Sequence, residues 1–225
     1  APAAARRAVA GLILPRKQRR EHTGTLIKPP FVGPLLPAHR AYLSQRRFDP
    51  DELERLWGLQ GIGVSHRLPW RIFAPIYDAD GDEVSWVTRA IGKPANRYEG
   101  ARDNEEAIPA KELLYGAHYC HHACVVHEGP TDVWATGPGA VAVLGLSVTK
   151  EQIALIASYL LRVICFDAEP EAQARARALA TKLAPFDGQT VVVELETGKD
   201  SASADPSEIR DLRAQYLEDF YVRAA

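Results

Sequence analysis

The chain contains no methionine, only three cysteines, and no apolar run of membrane-spanning length. The missing methionine admits either a removed initiator or a fragment. An odd number of cysteines, with no Cys-x-x-Cys pair, argues against a disulfide framework and makes a reducing cytoplasm the expected compartment. The longest apolar stretches, residues 140–146 and 153–161, fall far short of the roughly 20 residues that a transmembrane helix needs. Near the N-terminus, the apolar run 11–14 is too short for the core of a signal peptide. No membrane partner is therefore expected. What is present is ordinary for a folded chain: 225 residues, 46% hydrophobic and 25% charged, excludes collagen-like, coiled-coil and largely disordered architectures. That length suits one domain, or two small ones sharing an interface.

A net charge of −2 hides an asymmetry. Residues 1–47 carry ten Lys/Arg against one acid, Glu21, and the remainder is net negative by 11. A basic arm on an acidic body suggests that the arm meets a polyanion while the body holds carboxylates for another purpose. Residues 1–37 include Arg6, Arg7, Arg16, Lys17, Arg19, Arg20 and a Pro-rich stretch, so they read as an extended arm. Asp49-Pro50-Asp51-Glu52 predicts an N-cap, a proline at the first helical position and a short helix to Trp57. Two β-rich runs, 70–77 and 83–91, flank Asp78-Ala79-Asp80-Gly81 and predict a hairpin. A calcium loop is excluded because Gly81 falls at position four rather than six.

Beyond Tyr115 strands alternate with helices. Strand-like runs are 123–127, 140–144, 162–166 and 190–195; helix-like runs are 149–161, 170–183 and 206–221. This alternation predicts βαβ units and a parallel sheet covered on both faces, with the working residues at the carboxyl ends of its strands. Three of those ends carry acids: Glu128 and Asp132 after the first, Asp167 and Glu169 after the third, and Asp200 after the fourth. A lone acid at a strand end is most simply a helix cap. Acids at three ends of one sheet repel one another unless a cation intervenes. All-oxygen ligands suit Mg²⁺ or Mn²⁺, and carboxylate-held divalent ions beside a basic arm suggest phosphoryl transfer. The His/Cys-rich segment 118–124 is set aside as a zinc site: on a helix its histidines and its cysteines lie on opposite faces. Trp70, Trp86 and Trp134 read as core before they read as base-stacking platforms, and Gly58, Gly61 and Gly63 open no dinucleotide-binding helix.

Glu128-Gly-x-x-Asp132, Phe166-Asp-x-Glu169 and Gly198-Lys-Asp200 together resemble the toprim signature of primases, topoisomerases and some nucleases. Arg71-Ile-Phe-Ala-Pro-Ile, the turn at Gly81, Trp86-Val-Thr-Arg89, Arg97-Tyr98, Leu114-Tyr-Gly116 and Ala142-Val-Leu-Gly145 narrow it. In that order they resemble the catalytic core of DnaG-type bacterial and phage primases over residues 38–212. The resemblance implies an N-terminal arm (1–37), a smaller α+β subdomain with the hairpin (38–117), a Rossmann-like toprim domain (118–205) and a C-terminal helix (206–225). It assigns Glu128 as the acid nearest the chemistry, and Asp167, Glu169 and Asp200 with it as ligands of a two-metal Mg²⁺ or Mn²⁺ site. Arg71, Arg89, Arg97, Lys111 and Lys199 become contacts for nucleotide or DNA, and Gly129, Asp132 and Gly145 support the motif. The implied activity is synthesis of short RNA primers from ribonucleoside triphosphates on single-stranded DNA, in a brief, phage- or prophage-like form working in a host cytoplasm. A replicative helicase or a separate zinc-binding module is implied as partner, since neither module is in this sequence. Glu169 stands where the family has Asp, Glu171-Ala172 where it has Ala-Gly, and Ser201–Ala204 separate Asp200 from the next acid, Asp205. These departures keep two alternatives open, a toprim nuclease and a non-catalytic DNA-binding module.

Overall fold

A computed structural model describes residues 24–92 and 95–218. Six of the basic residues expected in the arm, Arg6 to Arg20, lie outside the described residues. Residues 24–36 form no helix, and apart from a turn at Pro30-Phe31, where Phe31 takes φ 66°, they run as an irregular strap that is pinned down rather than loose. Gly24 and Ile27 donate backbone bonds to Ala107 and Glu105, and Trp86 Nε1 donates to the Ile27 carbonyl at 3.0 Å. β1 (Val32–Gly33) then pairs with β2 (Gln60–Ile62) at the edge of an antiparallel sheet.

Between them lie α1 (Pro37–Gln45) and α2 (Pro50–Trp57). The sequence signal at α2 works as expected: Asp49 accepts from the amides of Asp51 and Glu52, Pro50 opens the helix and Gly58 closes it at φ 63°. β3 (Arg71–Tyr77) and β4 (Glu83–Ala90) form the predicted hairpin, and β5 (Tyr98–Gly100) completes the order β1-β2-β3-β4-β5. The acids of the hairpin turn serve the turn itself, with Asp78 Oδ1 accepting from the amides of Asp80 and Asp82. Alternation along β3 buries Phe73 with Trp86 on one face, while Ile72, Ala74 and Ile76 join the main core on the other.

The second half is a parallel sheet: β6 (Ala123–His127), β7 (Ala140–Ala142), β8 (Leu161–Ile164) and β9 (Gln189–Val192), in the order β7-β6-β8-β9. α3 (Pro130–Thr136), α4 (Lys150–Ala157) and α5 (Pro170–Leu183) make the crossovers, and α6 (Pro206–Arg213) follows β9. Val125 and Val163 share a core with Val133 and Trp134 of α3 and Ile209 of α6. Cys124, Val126 and Ile164 face Ile156 of α4 and Ala176 and Leu179 of α5. Helices therefore cover both faces, as the strand–helix alternation predicts.

Several boundaries differ from the sequence reading. β7 stops at Ala142, two residues before Leu144, which adopts a positive φ of 59° that a strand cannot hold. α4 ends at Ala157 instead of 161 because the His122 carbonyl accepts from the amides of Leu160 and Leu161 and draws that segment into β8. The last helix leaves α geometry at Arg213 for a π turn over Ala214–Glu218, which carries Leu217 onto Gly139. Within 118–124 the only helical piece is the end of a 3₁₀ turn (Ala117–Tyr119), and β6 begins at Ala123, so its histidines and cysteines do not share a helix with opposite faces. There His118 packs edge-on against Tyr77 and Trp57, and Cys120 donates to the Gly116 and Ala140 carbonyls. Trp86 and Trp134 are buried, whereas Trp70 is exposed at 43%. No helix among the described residues is long and apolar enough to cross a membrane.

Tyr115 joins the halves. Its ring stacks on Trp57, its hydroxyl accepts from Trp134 Nε1 at 2.8 Å, and its backbone bridges Ala142 at the free edge of β7. Gly116, at φ 86°, lets the chain turn there, since a Cβ would lie 2.6 Å from the Ala140 carbonyl.

Candidate active site

The strand order places the site. From β6 the chain crosses through α3 to β7 on one side, and from β8 it crosses through α5 to β9 on the other. The loops leaving β6 and β8 thus part in opposite directions and open a crevice at the carboxyl end of the sheet. Glu128 and Asp167 are the first residues after the His127 end of β6 and after Phe166. The amide of Ala168 donates to the Lys199 carbonyl at 2.8 Å, which draws the Asp200 loop beside the Asp167 loop.

A cleft of about 280 Å³ results, lined on one side by Glu128, Asp132, Asp167 and Asp200 and on the other by Arg46, Arg89, Arg97 and Tyr98. Asp132, in the first turn of α3, is the most enclosed of the acids and accepts from the Ala202 amide at 3.3 Å. Burial, then the charges of Asp200 and Asp167, push its pKa up to about 7. Burial, then Glu128 and Asp200, push Asp167 up to about 6, and Arg175 pulls the other way. Asp200 Oδ1 is buried with no hydrogen-bond partner among the described residues. Two unit charges 4 Å apart interact by roughly 4 kcal/mol at an effective dielectric of 20, against about 0–1 kcal/mol from an exposed ion pair. Such a group of acids must bind protons or cations. Its all-oxygen donors and the unpartnered Asp200 oxygen fit a hard divalent ion such as Mg²⁺ or Mn²⁺. Among the described residues no three His, Cys, Asp or Glu side chains are already gathered closely enough to hold one.

Other candidates from the sequence lie elsewhere. Glu169 is exposed at the N-cap of α5 and does not line the cleft, although its charge reaches Asp167. Lys199 is exposed and enters through its backbone carbonyl alone. Arg71 is buried and donates to the carbonyls of Asn96 and Arg97, so it braces the approach to β5 instead of facing the cleft. Lys111 Nζ donates to the carbonyls of Val143 and Ser147, anchoring the loop that carries Gly145, and burial lowers its pKa. Gly145 lines the cleft at φ 133°, with Lys111 Nζ 3.2 Å from where a Cβ would sit. Gly129 is the N-cap of α3 and keeps the cleft open beside the Asp132 carboxylate.

Arg89 reaches the cleft but is already engaged. Its Nε donates to the Tyr42 hydroxyl at 2.8 Å and its Nη1 to that of Tyr98, which pairs with Thr131 Oγ1 at 3.2 Å. This relay runs from α1 through β4 and β5 to α3, setting the antiparallel half against the acidic loops. Arg97 is exposed, lines the cleft, and shows no side-chain partner among the described residues. Two contributors escaped the sequence reading. Arg46 lines the cleft with a buried, unpartnered Nε. Arg175, on α5, donates through Nε and Nη2 to Glu128 Oε1 at 3.0 and 2.8 Å. Its only sequence signal is helical spacing, which sets it beside the buried stripe Ala172, Ala176, Leu179 and Leu183.

No protein-family model matches the chain, and no curated relative does. Solved structures do. The DnaG primase catalytic domain bound to single-stranded DNA superposes with a TM-score of 0.67 at 18% identity, over 80% of this chain and 73% of that one. The Escherichia coli primase catalytic core gives 0.62 at 19%, over 83% and 72%. The RNA polymerase domain of Mycobacterium tuberculosis DnaG gives 0.63 at 22%, over 83% and 79%. The chain has the fold of DnaG primase catalytic cores.

Proposed function

We propose that this protein is a primase-type nucleotidyltransferase that joins ribonucleotides into short primers on a single-stranded DNA template. The observation that carries the reading is the two-sided cleft: four carboxylates at the switch point of the parallel sheet, faced by Arg46, Arg89 and Arg97 on a primase-core fold. Asp167 and Asp200, with Glu128, would hold Mg²⁺ or Mn²⁺, and Asp132 would stand behind them. When bound, such ions neutralise the triphosphate and favour ionisation of the attacking hydroxyl. Glu128 would accept that proton, a reading supported by its place in the cleft lining and by an Oε2 unclaimed by any protein donor among the described residues. Arg97 and Arg46 supply unspent guanidinium donors for phosphate oxygens. Arg89 acts by holding Tyr98 against α3.

Template binding would come from this wall and the basic residues N-terminal to it, making it steeply salt-dependent. A phage-type setting, with a replicative helicase or a zinc-binding module as partner, is part of the same reading. The alternative of a non-catalytic DNA-binding module is favoured by one observation, the absence of Glu169 from the cleft lining. Primer synthesis with labelled ribonucleotides on single-stranded DNA, with Mg²⁺ or Mn²⁺, separates them. Short products from the wild type that fall at least a hundredfold in Glu128→Gln and Asp167→Asn support the proposal. DNA binding without products, under every metal condition, favours the binding module, and template cleavage favours a nuclease.

A further inference from the structure

Glu128 is held in an unusual way for an acid in an acidic cleft. Both donors of Arg175 converge on one oxygen, Oε1, at 2.8 and 3.0 Å, and Oε2 accepts from no protein donor among the described residues. The pair is partly enclosed, with Glu128 at 11% and Arg175 at 31% exposure. Enclosure reduces the solvent screening that makes most surface pairs nearly neutral in energy. The buried stripe of Ala172, Ala176, Leu179 and Leu183 fixes α5, and so the point from which the Arg175 side chain reaches Glu128. Among the described cations, it alone forms an ion pair with an acid of the cleft, since Arg89 spends its donors on tyrosines.

We propose that Arg175 is a positioning residue, holding Glu128 by one oxygen with the other turned to the cleft, and competing with an incoming divalent cation for the clamped oxygen. Glu128 keeps its aim while no cation is bound, because an anion without a partner beside Asp167 and Asp200 would be driven outward. The same guanidinium opposes cation binding twice. It occupies a ligand oxygen, and it adds a like charge a few ångströms from the site. Loss of Arg175 should therefore tighten cation binding while disordering the acid that the reaction uses. A residue that merely stabilised the fold would not separate those two effects.

This inference rests on the assignment of Glu128 to the cation site, and its test reads binding apart from activity. Mn²⁺ is titrated and followed by electron paramagnetic resonance in the wild type, Arg175→Ala, Glu128→Gln and the double variant. We expect Arg175→Ala to bind Mn²⁺ about threefold to tenfold more tightly, and most of that gain to be lost in the Glu128→Gln background, where only the like-charge repulsion remains to be relieved. Unchanged or weaker binding in Arg175→Ala overturns the competition, and an equal gain in both backgrounds overturns the route through Glu128. In primer synthesis, kcat should fall at least tenfold with KM for nucleotide within about twofold, and Arg175→Lys should recover part of it. A rise in KM with kcat unchanged would mean that Arg175 binds the triphosphate instead. Wild-type protein that binds Mn²⁺ but makes no primer defeats the primase reading alone, and the binding cycle still decides the role of Arg175. Should Arg175→Ala fold poorly, Arg175→Lys carries the same comparison, with a smaller gain in Mn²⁺ affinity.

Discussion

The two walls of the cleft are made of opposite charge, and they differ more in how their charges are satisfied than in sign. On the basic side the antiparallel half spends most of its cations internally: Arg71 on the carbonyls of Asn96 and Arg97, Arg89 on Tyr42 and Tyr98. On the acidic side the parallel sheet leaves its anions short of partners. Burial and neighbouring negative charge raise the pKa values of Asp132 and Asp167 above the usual carboxylate range, and Asp200 Oδ1 has no donor among the described residues. The basic wall is largely structure, with a few free guanidinium groups at its surface. The acidic wall has more negative charge than its protein partners among the described residues offset. In an α/β fold the acids come from loops at one sheet edge, which can converge without being neutralised, whereas a buried arginine in a sheet must find acceptors at once.

The largest expected effect that separates the walls is on stability against pH. Asp132 and Asp167 have folded pKa values of about 7 and about 6, above their unfolded values, so between about pH 4 and 7 the folded state holds more protons than the unfolded state. Their contribution is therefore fully present below about pH 4 and is lost progressively until pH has passed their folded values of about 6 and 7. Asp132→Asn should raise the melting temperature of the metal-free protein at pH 8, by the equivalent of up to a few kcal/mol, and have little effect at pH 4. Added Mg²⁺ or Mn²⁺ should raise the wild type, by about 2.7 kcal/mol at a hundredfold excess over Kd, and narrow that gap. Equal melting curves for both proteins at pH 8 without metal would refute the account of the acidic wall.

Next comes the contrast within the basic wall. Arg97→Ala should weaken single-stranded DNA binding and lower the slope of log K against log salt by about one, the mark of one lost phosphate contact. Arg71→Met should leave that slope unchanged and cost stability of about 1–3 kcal/mol, because two carbonyls lose their donor. Fluorescence anisotropy across a salt series, paired with urea unfolding, measures both. If Arg71→Met changes the slope and Arg97→Ala does not, the division between structural and free arginines is wrong.

The smallest effect concerns the relay between the walls. Tyr98→Phe removes the hydroxyl that accepts from Arg89 and pairs with Thr131. It should cost about 0.5–1.5 kcal/mol in urea unfolding, and combining it with Thr131→Val should cost less than the sum. Full additivity would show that the two hydroxyls are not coupled.

How much of this was legible beforehand follows from the range of the interactions. α5 begins at Pro170 and ends at Leu183 where its pattern predicts, because caps and a 3.6-residue stripe are set by neighbours a turn away. The same holds for α2, with Asp49 as its cap, and for the hairpin closed by Asp78. Three strands ending in acids could be read as one site, since a parallel sheet puts all its carboxyl ends at one edge. The basic residues were less legible. Arg71, Arg89, Arg97 and Lys111 look alike in a sequence, and only one of the four ends exposed in the cleft with no protein partner among the described residues. Arg175 carried no signal beyond its helical spacing, because its partner is 47 positions away on another element.

The sequence by itself determined the alternation of strands and helices and the acids at three strand ends, because both depend on local periodicity and on the geometry common to all parallel sheets. The tertiary structure alone decided which charges are spent and which are free. A long polar side chain takes whatever acceptor the fold brings within about 3 Å, and that acceptor is contributed by an element remote in the chain.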